Sequence, residues 1–130
     1  MRNSVFALLC GFLMFLAAGC ADKEIFSKIE DASLVGHAPV AVKITGDKHG
    51  VVKIKNDPSS NIEVRITKVQ ASCSTERARS LGSDFDGYIL IEVYHNNKFA
   101  AKAQMDFKTE PAKKDYEKVW RKLQKALKWD

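Results

Sequence analysis

Residues 88–107 read YILIEVYHNNKFAAKAQMDF and decide the expected fold. Apolar side chains recur at every second position on both sides of Asn96-Asn97, a spacing typical of β-strands. Asparagine tolerates the left-handed backbone of a tight turn, so this stretch predicts an antiparallel hairpin. The first strand has aromatic or aliphatic residues on both faces, and we therefore expect it to lie in the interior of a sheet.

Two registers are open to this hairpin. A two-residue Asn96-Asn97 loop pairs His95 with Lys98 and sets apolar residues opposite polar ones. A three-residue loop that includes Lys98, with a bulge, pairs His95 with Phe99 and makes one continuous apolar face. The second register is favoured, and it aligns Val93 with Ala101, Ile91 with Ala103 and Ile89 with Met105.

Three shorter stretches upstream alternate in the same way: Val40–Ile44, Val52–Ile54 and Ile62–Ile66. Residues 46–50 and 56–61 separate them and are rich in glycine, asparagine, aspartate and proline, which favour turns. The first two stretches are expected to form a hairpin and the third to continue it. The sequence therefore predicts an antiparallel meander of about five strands.

The C-terminal residues change to a helical spacing. Thr109 and Pro111 are typical of a helix start. The apolar stripe that follows comprises Tyr116, Val119, Trp120, Leu123, Ala126 and Leu127, and the remaining surface carries Lys114, Lys118, Arg121, Lys122 and Lys125. This amphipathic helix is expected to cover the sheet, which gives an α+β fold. Trp129 lies beyond the stripe and is a candidate for an exposed contact.

The first residues have the layout of a secretory leader. Arg2 precedes an almost wholly apolar run from Val5 to Ala18, and small residues follow. The run is short for a permanent bilayer-spanning helix. We therefore expect residues 1–19 to be a signal peptide, and its removal leaves 111 residues. That length suits one small domain. Because Arg2 is the only charged side chain lost, the net charge falls from +5 to +4.

Ala17, Ala18, Gly19 and Cys20 resemble the lipobox of bacterial lipoproteins. The usual leucine lies three residues before the cysteine, whereas Leu16 here lies four before it. The resemblance implies cleavage after Gly19 and a diacylglyceryl thioether on Cys20, with a third acyl chain in many Gram-negative species. Two or three chains anchor a protein firmly. The alternatives are an ordinary secretory leader with an incidental cysteine and an uncleaved anchor.

In the same family, aspartate directly after the lipidated cysteine retains enteric lipoproteins at the inner membrane. Ala21 stands there instead, so the resemblance implies the outer membrane, on its periplasmic face. Residues 23–36 have a near-helical apolar spacing that ends at Gly36. We therefore expect residues 20–36 to form a short lipid-anchored N-terminal helix or tether close to the lipid. Residues 37–130 are expected to form the single α+β domain.

The chain offers little that resembles catalytic chemistry. His37, His49 and His95 lack the spacing of metal ligands, and the pair Asp84 and Asp86 lacks the remaining ligands of a calcium loop. Cys73, the one thiol left if Cys20 is acylated, would act as a nucleophile only beside a histidine. The alternatives for Cys73 are a packed small side chain or an intermolecular disulfide. We therefore expect a non-enzymatic protein without metal, cofactor or nucleic acid.

The connection from residue 70 to 87 is long for a hairpin and is the candidate recognition segment. Its candidate contact residues are Cys73, Arg77, Arg79, Asp84 and Asp86. A solvated crossover without a binding role is an equally good interpretation. The leading functional hypothesis is a lipid-anchored binding or assembly module that offers this segment or a sheet edge to another envelope protein. The alternative is a binder of an amphiphilic ligand, lipid or lipopolysaccharide, in a crevice between helix and sheet.

Overall fold

The structure is a computed structural model, and it describes residues 25–70 and 86–130. Six strands form one mixed sheet: β1 (Ile25–Ile29), β2 (Ala41–Thr45), β3 (Lys55–Asn56), β4 (Ile62–Gln70), β5 (Gly87–His95) and β6 (Lys98–Phe107). The order across the sheet is β1-β6-β5-β4-β2-β3. One α-helix, α1 (Lys113–Leu127), follows the last strand. The predicted α+β class with a C-terminal helix is therefore confirmed, whereas the purely antiparallel meander is wrong.

The central hairpin forms as the alternation predicts, and β5 lies in the interior of the sheet. Its turn combines the two registers considered. Asn96 and Asn97 both have positive φ, at 52° and 65°, so the loop has two residues and His95 pairs with Lys98 rather than Phe99. A bulge then shifts the register, and Val93 pairs with Ala101 as expected. The bulge restores the single apolar face that a two-residue loop alone would have broken.

The expected hairpin between residues 40–44 and 52–54 does not form. Strand β3 comprises two residues and runs parallel to β2, which in turn runs parallel to β4. The Asp47 carboxylate explains the difference, because it accepts hydrogen bonds from the amides of Val51 and Val52 at 2.9 and 3.0 Å. Those amides are then not available to a strand ladder, and residues 46–54 form a loop whose two valines are buried in the core.

The expected N-terminal helix is also wrong in the described residues. Residues 25–29 are an edge strand that pairs antiparallel with β6, and a single 3-10 turn, Ala32–Leu34, follows it. Ile25, Ser27 and Ile29 are partly buried whereas Phe26 and Lys28 are exposed, which is the period of a strand. Pairing with β6 outweighed a weak helical spacing, because five residues gain little from helix propensity alone.

Helix α1 packs against β1, β5 and β6. Ala101 and Ala103 on β6 are fully buried, and their small side chains let the helix approach the sheet closely. The core between the two layers includes Val64, Ile89, Ile91, Val93, Met105, Phe107, Val119, Leu123 and Leu127. The predicted helical stripe is confirmed at every position except Ala126, which is half-buried, and the five predicted surface cations are exposed.

The two ends of α1 differ from the expected ones. The helix begins at Lys113, with Ala112 at the N-cap position, rather than at Thr109. Asp115 Oδ2 accepts a hydrogen bond from the Ala112 amide at 2.8 Å and so satisfies one donor at the helix start. At the other end Trp129 is 7% exposed, so the expected exposed contact is wrong. Its ring lies against Trp120, with 6.5 Å between the ring centroids.

Candidate binding surfaces

Five of the six sequence-predicted site residues lie outside the described residues: Cys20, Cys73, Arg77, Arg79 and Asp84. Asp86 is the exception. It is exposed at the entry to β5, where its backbone amide donates to the Phe107 carbonyl at 2.9 Å. Asp86 therefore lies directly before the first residue of β5, Gly87.

The described strands fix where the connection 71–85 begins and ends. Gln70 pairs with Gly87, and Gly87 pairs with Phe107, so the connection leaves and re-enters the sheet at one end. Strand β1 starts at the same end, because Ile25 pairs with Met105. We call it the Ile25 end. The tether that precedes β1 and the candidate recognition segment are thus attached to the same end of the sheet.

The sheet has a second face, turned away from α1, which we call the outer face. Its residues alternate along the strands with those of the core, and most are half-buried. The strand registers place them in rows across the sheet. The most central row has four charged side chains and ends in a threonine: Lys28, Lys102, Glu92, Arg65 and Thr45. The rows on either side carry Phe26, Gln104, Leu90 and Thr67 toward the Ile25 end, and Tyr94 and Glu63 toward the opposite end.

Tyr94 is the centre of an ordered cluster on this outer face. The Arg65 guanidinium lies over its ring, 4.4 Å from the centroid, and Phe99 meets the ring edge-on at 6.1 Å. The Tyr94 hydroxyl donates to Glu92 Oε2 at 2.9 Å. Arg65 also pairs with Glu63 at 3.1 Å. A half-buried arginine that stacks on tyrosine is held in one orientation, which is typical of side chains at contact surfaces.

Glu63 is held on two sides in this cluster. Its Oε2 accepts a hydrogen bond from the Thr45 hydroxyl at 2.9 Å, and Oε1 takes the Arg65 guanidinium. Both contacts favour the charged carboxylate, the Thr45 bond most, and they lower the pKa of Glu63. Burial, and then the bond to Glu92, raise the pKa of Tyr94. The cluster therefore keeps fixed charges and a neutral phenol at neutral pH.

The two edges of the sheet differ in their strand pairing and in their side-chain contacts. At one edge, β3 pairs with β2, and the Asn56 side chain accepts a further hydrogen bond from the Ile44 amide at 3.0 Å. On the other side β1 pairs with β6 alone among the described strands. Its Phe26 is 57% exposed and lies under Lys102, with Nζ 5.8 Å from the ring centroid. An edge strand with an exposed aromatic residue is suited to adding a partner strand.

A cleft lies on the other side of the molecule, between α1 and the 46–54 loop. Its volume is about 300 Å³, and it is lined by Val51, Lys53, Lys113, Glu117, Trp120, Arg121 and Gln124. Lys113 and Glu117 pair at 3.9 Å across one helical turn. The cleft therefore presents a cationic surface with an apolar floor.

Two of the histidines contact different parts of the fold. His49 lies against the ring of Tyr116, with 4.7 Å between centroids, and His95 Nδ1 contacts Asp31 Oδ2 at 3.0 Å. In residues 25–70 and 86–130, no group of three histidine, cysteine, aspartate or glutamate side chains is placed to hold a metal ion. No helix in this same part of the chain is long and apolar enough to span a membrane.

Sequence reasoning missed both the Tyr94 cluster and the cleft. The cluster had a signal, since Glu63, Arg65, Glu92 and Tyr94 occupy the alternate positions of two strands, but the register between those strands was needed to bring them together. The cleft had none, because the expected hairpin placed Lys53 in a strand.

The chain matches no protein-family model, no curated protein and no solved structure.

Proposed function

We propose that this chain is a lipid-anchored envelope lipoprotein that acts as a non-enzymatic binding or assembly module for another envelope protein. The observation that carries the proposal is the Tyr94 cluster, in which Arg65 is fixed by both Tyr94 and Glu63 on a sheet face that α1 does not cover. Ordered arginine and tyrosine side chains lose little entropy on binding and contribute much of the energy of protein contacts.

The anchor proposal rests on the lipobox-like residues before Cys20 and places the protein on the periplasmic face of the outer membrane. Five residue steps join Cys20 to Ile25, a span of at most about 18 Å when fully extended. The Ile25 end of the sheet would therefore stay near the lipid headgroups. The connection 71–85, with Cys73, Arg77 and Arg79, leaves from that end and would lie within reach of a partner in the same membrane.

Mass spectrometry of the mature chain tests the anchor. The expected product begins at Cys20 and carries two or three acyl chains. Cys20→Ser should abolish both acylation and cleavage after Gly19. A mature chain that begins at another residue, without lipid, would contradict the anchor and leave the binding surface to be judged separately.

Paired variants test the binding function. Thr67 lies on the outer face of β4, opposite Leu90 on β5. Thr67→Arg adds bulk at this position without removing a described contact. Lys118→Ala, on the exposed side of α1, is the control. Tagged full chains are extracted from native membranes, and co-purified proteins are quantified by mass spectrometry. We expect one protein to be recovered with the wild type and with the control and to be lost with Thr67→Arg. Equal recovery with all three chains would contradict the proposal.

The cleft supports a second candidate function, the binding of an amphiphilic ligand. Val51 and Trp120, both nearly fully buried apolar residues, form its floor. Charged side chains form its rim. This is the crevice between helix and loop on the helix side of the sheet, where an amphiphile would place its apolar part inside and its head outside.

A further inference from the structure

The two walls of the cleft are each fixed by contacts of their own. The Asp47 carboxylate holds the 46–54 loop through the amides of Val51 and Val52, which places Lys53 directly after two buried residues. The ring of His49 lies against Tyr116 near the start of α1 and joins the loop to the helix. The cleft is therefore formed in the free protein, and a ligand would not have to order it.

The charges that line the cleft do not cancel. Lys53, Lys113 and Arg121 face a single carboxylate, Glu117, which already pairs with Lys113 at 3.9 Å. Within the described part of the chain, neither Lys53 nor Arg121 has a carboxylate partner. Asp47 belongs to the same loop, but both of its oxygens accept backbone amides. Two cations on opposite walls are thus left for an anion.

The size of the cleft limits what the anion is attached to. A volume of about 300 Å³ lies at the lower end of the range for small-molecule sites, roughly 300–1,000 Å³. It suits a headgroup with a few carbon atoms and is too small to enclose a whole acyl chain. Arginine and lysine together are suited to phosphate oxygens. Trp120 and Val51, which are 3% and 4% exposed, offer only small apolar contacts to the carbon atoms next to the phosphate.

We propose that the cleft between α1 and the 46–54 loop binds a phosphate-bearing amphiphile, with its phosphate group between Lys53 and Arg121 and its first carbon atoms on Trp120 and Val51. This inference rests on the second candidate function and names its ligand chemistry and residues. It is independent of the outer face and of the partner that the outer face would bind.

Fluorine NMR of the full chain labelled with 5-fluorotryptophan tests the proposal. The chain has two tryptophans, and Trp120→Phe assigns the signal of the residue that lines the cleft. The protein is reconstituted in neutral phosphatidylcholine nanodiscs at constant ionic strength. The probes are hexyl phosphate, inorganic phosphate and hexyl glucoside, a neutral amphiphile with the same chain, and all are kept below micelle-forming concentrations.

Hexyl phosphate should shift the Trp120 signal in a saturable way and bind more tightly than either of the other probes. Lys53→Gln and Arg121→Gln should each weaken its binding by about tenfold or more, because each removes a charged hydrogen-bond donor. Lys122→Gln, an equal loss of charge at an exposed position outside the cleft, should change binding less than twofold.

Other outcomes overturn the proposal in distinguishable ways. Equal binding of hexyl glucoside would reject phosphate recognition and keep the amphiphile-binding function. If inorganic phosphate binds as tightly as hexyl phosphate, the carbon chain contributes nothing to binding. That result would reject an amphiphile as the ligand and indicate a site for free phosphate. No saturable shift with any probe would reject both this inference and the second candidate function. An equal effect of Lys122→Gln would show attraction to the overall basic charge and no specific site.

Discussion

The indole Nε1 of Trp129 donates a hydrogen bond to the backbone carbonyl of Leu34 at 2.8 Å, across 95 residues of sequence. A second bond joins the same segments, because the Gly36 amide donates to the Leu127 carbonyl at 2.8 Å. The end of α1 is thereby attached to the turn that follows β1. These contacts lie at the end of the molecule opposite Ile25, so they stabilise the fold without using the proposed membrane-facing end.

Trp129→Phe should lower the free energy of unfolding by about 0.5–1.5 kcal/mol more than the loss of ring size alone. It removes a buried hydrogen bond and leaves the Leu34 carbonyl with only the longer bond from the His37 amide, at 3.2 Å. Trp120→Phe is the matched control, since that ring is equally buried and the structure describes no hydrogen bond to it. Urea unfolding of the full chains followed by circular dichroism measures the difference. Equal losses for the two variants would contradict a stabilising role for this bond.

Gly46 and Gly50 differ in a way that a pair of alanine variants can separate. Both have positive φ, at +80° and +64°. A Cβ at Gly46 would collide with the Ile66 carbonyl oxygen, whereas a Cβ at Gly50 meets no atom within 4 Å. Gly50→Ala should cost about 1 kcal/mol from backbone strain alone, and Gly46→Ala about 3 kcal/mol or more. Thermal unfolding measures both, and similar melting temperatures would show that the loop moves freely away from β4.

The two-residue turn predicts opposite effects for two substitutions at Asn97, which has a φ of 65°. Glycine adopts this conformation without strain, so Asn97→Gly should leave stability unchanged or raise it by up to about 1 kcal/mol. Asn97→Val should lower it by about 1–2 kcal/mol, because a β-branched residue disfavours positive φ. Urea unfolding again provides the measurement. A loss of stability with glycine would indicate that the Asn97 side chain, and not its backbone, stabilises the turn.

Asp31 predicts how stability depends on acid pH. Hydrogen bonds from Ser33, and then from His95, lower the pKa of Asp31 in the folded protein. A carboxyl group with a lowered pKa stabilises the fold above its unfolded pKa of about 4 and loses that contribution as pH falls through the folded pKa. Asp31→Asn should therefore be less stable than the wild type at pH 6, and the difference should shrink below about pH 4.

Urea unfolding at intervals from pH 2 to pH 6 measures that difference. Asp106→Asn, which removes a carboxylate from the outer face of β6, is the control for the change in net charge. A difference between Asp31→Asn and wild type that stays constant over the whole range would contradict the assigned hydrogen bonds.

Local pattern was sufficient for the parts of the fold that depend on neighbours in sequence. The existence of the β5–β6 hairpin and the buried stripe of α1 follow from spacing alone. The length of the hairpin loop did not follow, because a bulge lets a two-residue loop keep the single apolar face that favoured a three-residue one. The pairing of β2 with β4 did not follow, because a single carboxylate, Asp47, turned a plausible strand into a buried loop. The β1 strand was missed for a related reason, since β6 lies more than 70 residues away.

The candidate sites likewise divide into residues that a sequence pattern predicts and residues that only the tertiary structure brings together. Motif and loop length predict Cys20, Cys73, Arg77, Arg79, Asp84 and Asp86, and only Asp86 lies among the described residues. Arg65 and Tyr94 stand out only when register places them on adjacent strands. Lys53 and Arg121 share a cleft only after the 46–54 loop has folded over the sheet beside α1. A sequence pattern can place residues on one face of a strand or helix, but it does not show which residues of distant segments meet.

The most direct test of the proposed binding module is photocrosslinking in the native host from single photoreactive residues in the lipid-anchored chain. The positions are Thr67 and Gln104 on the outer face, Arg77 in the candidate segment, and Lys118 on the exposed side of α1 as control. The proposal predicts one recurrent protein adduct from the outer face, from Arg77 or from both, and none from Lys118. Adducts to lipid alone, or the same proteins from all four positions, would contradict it.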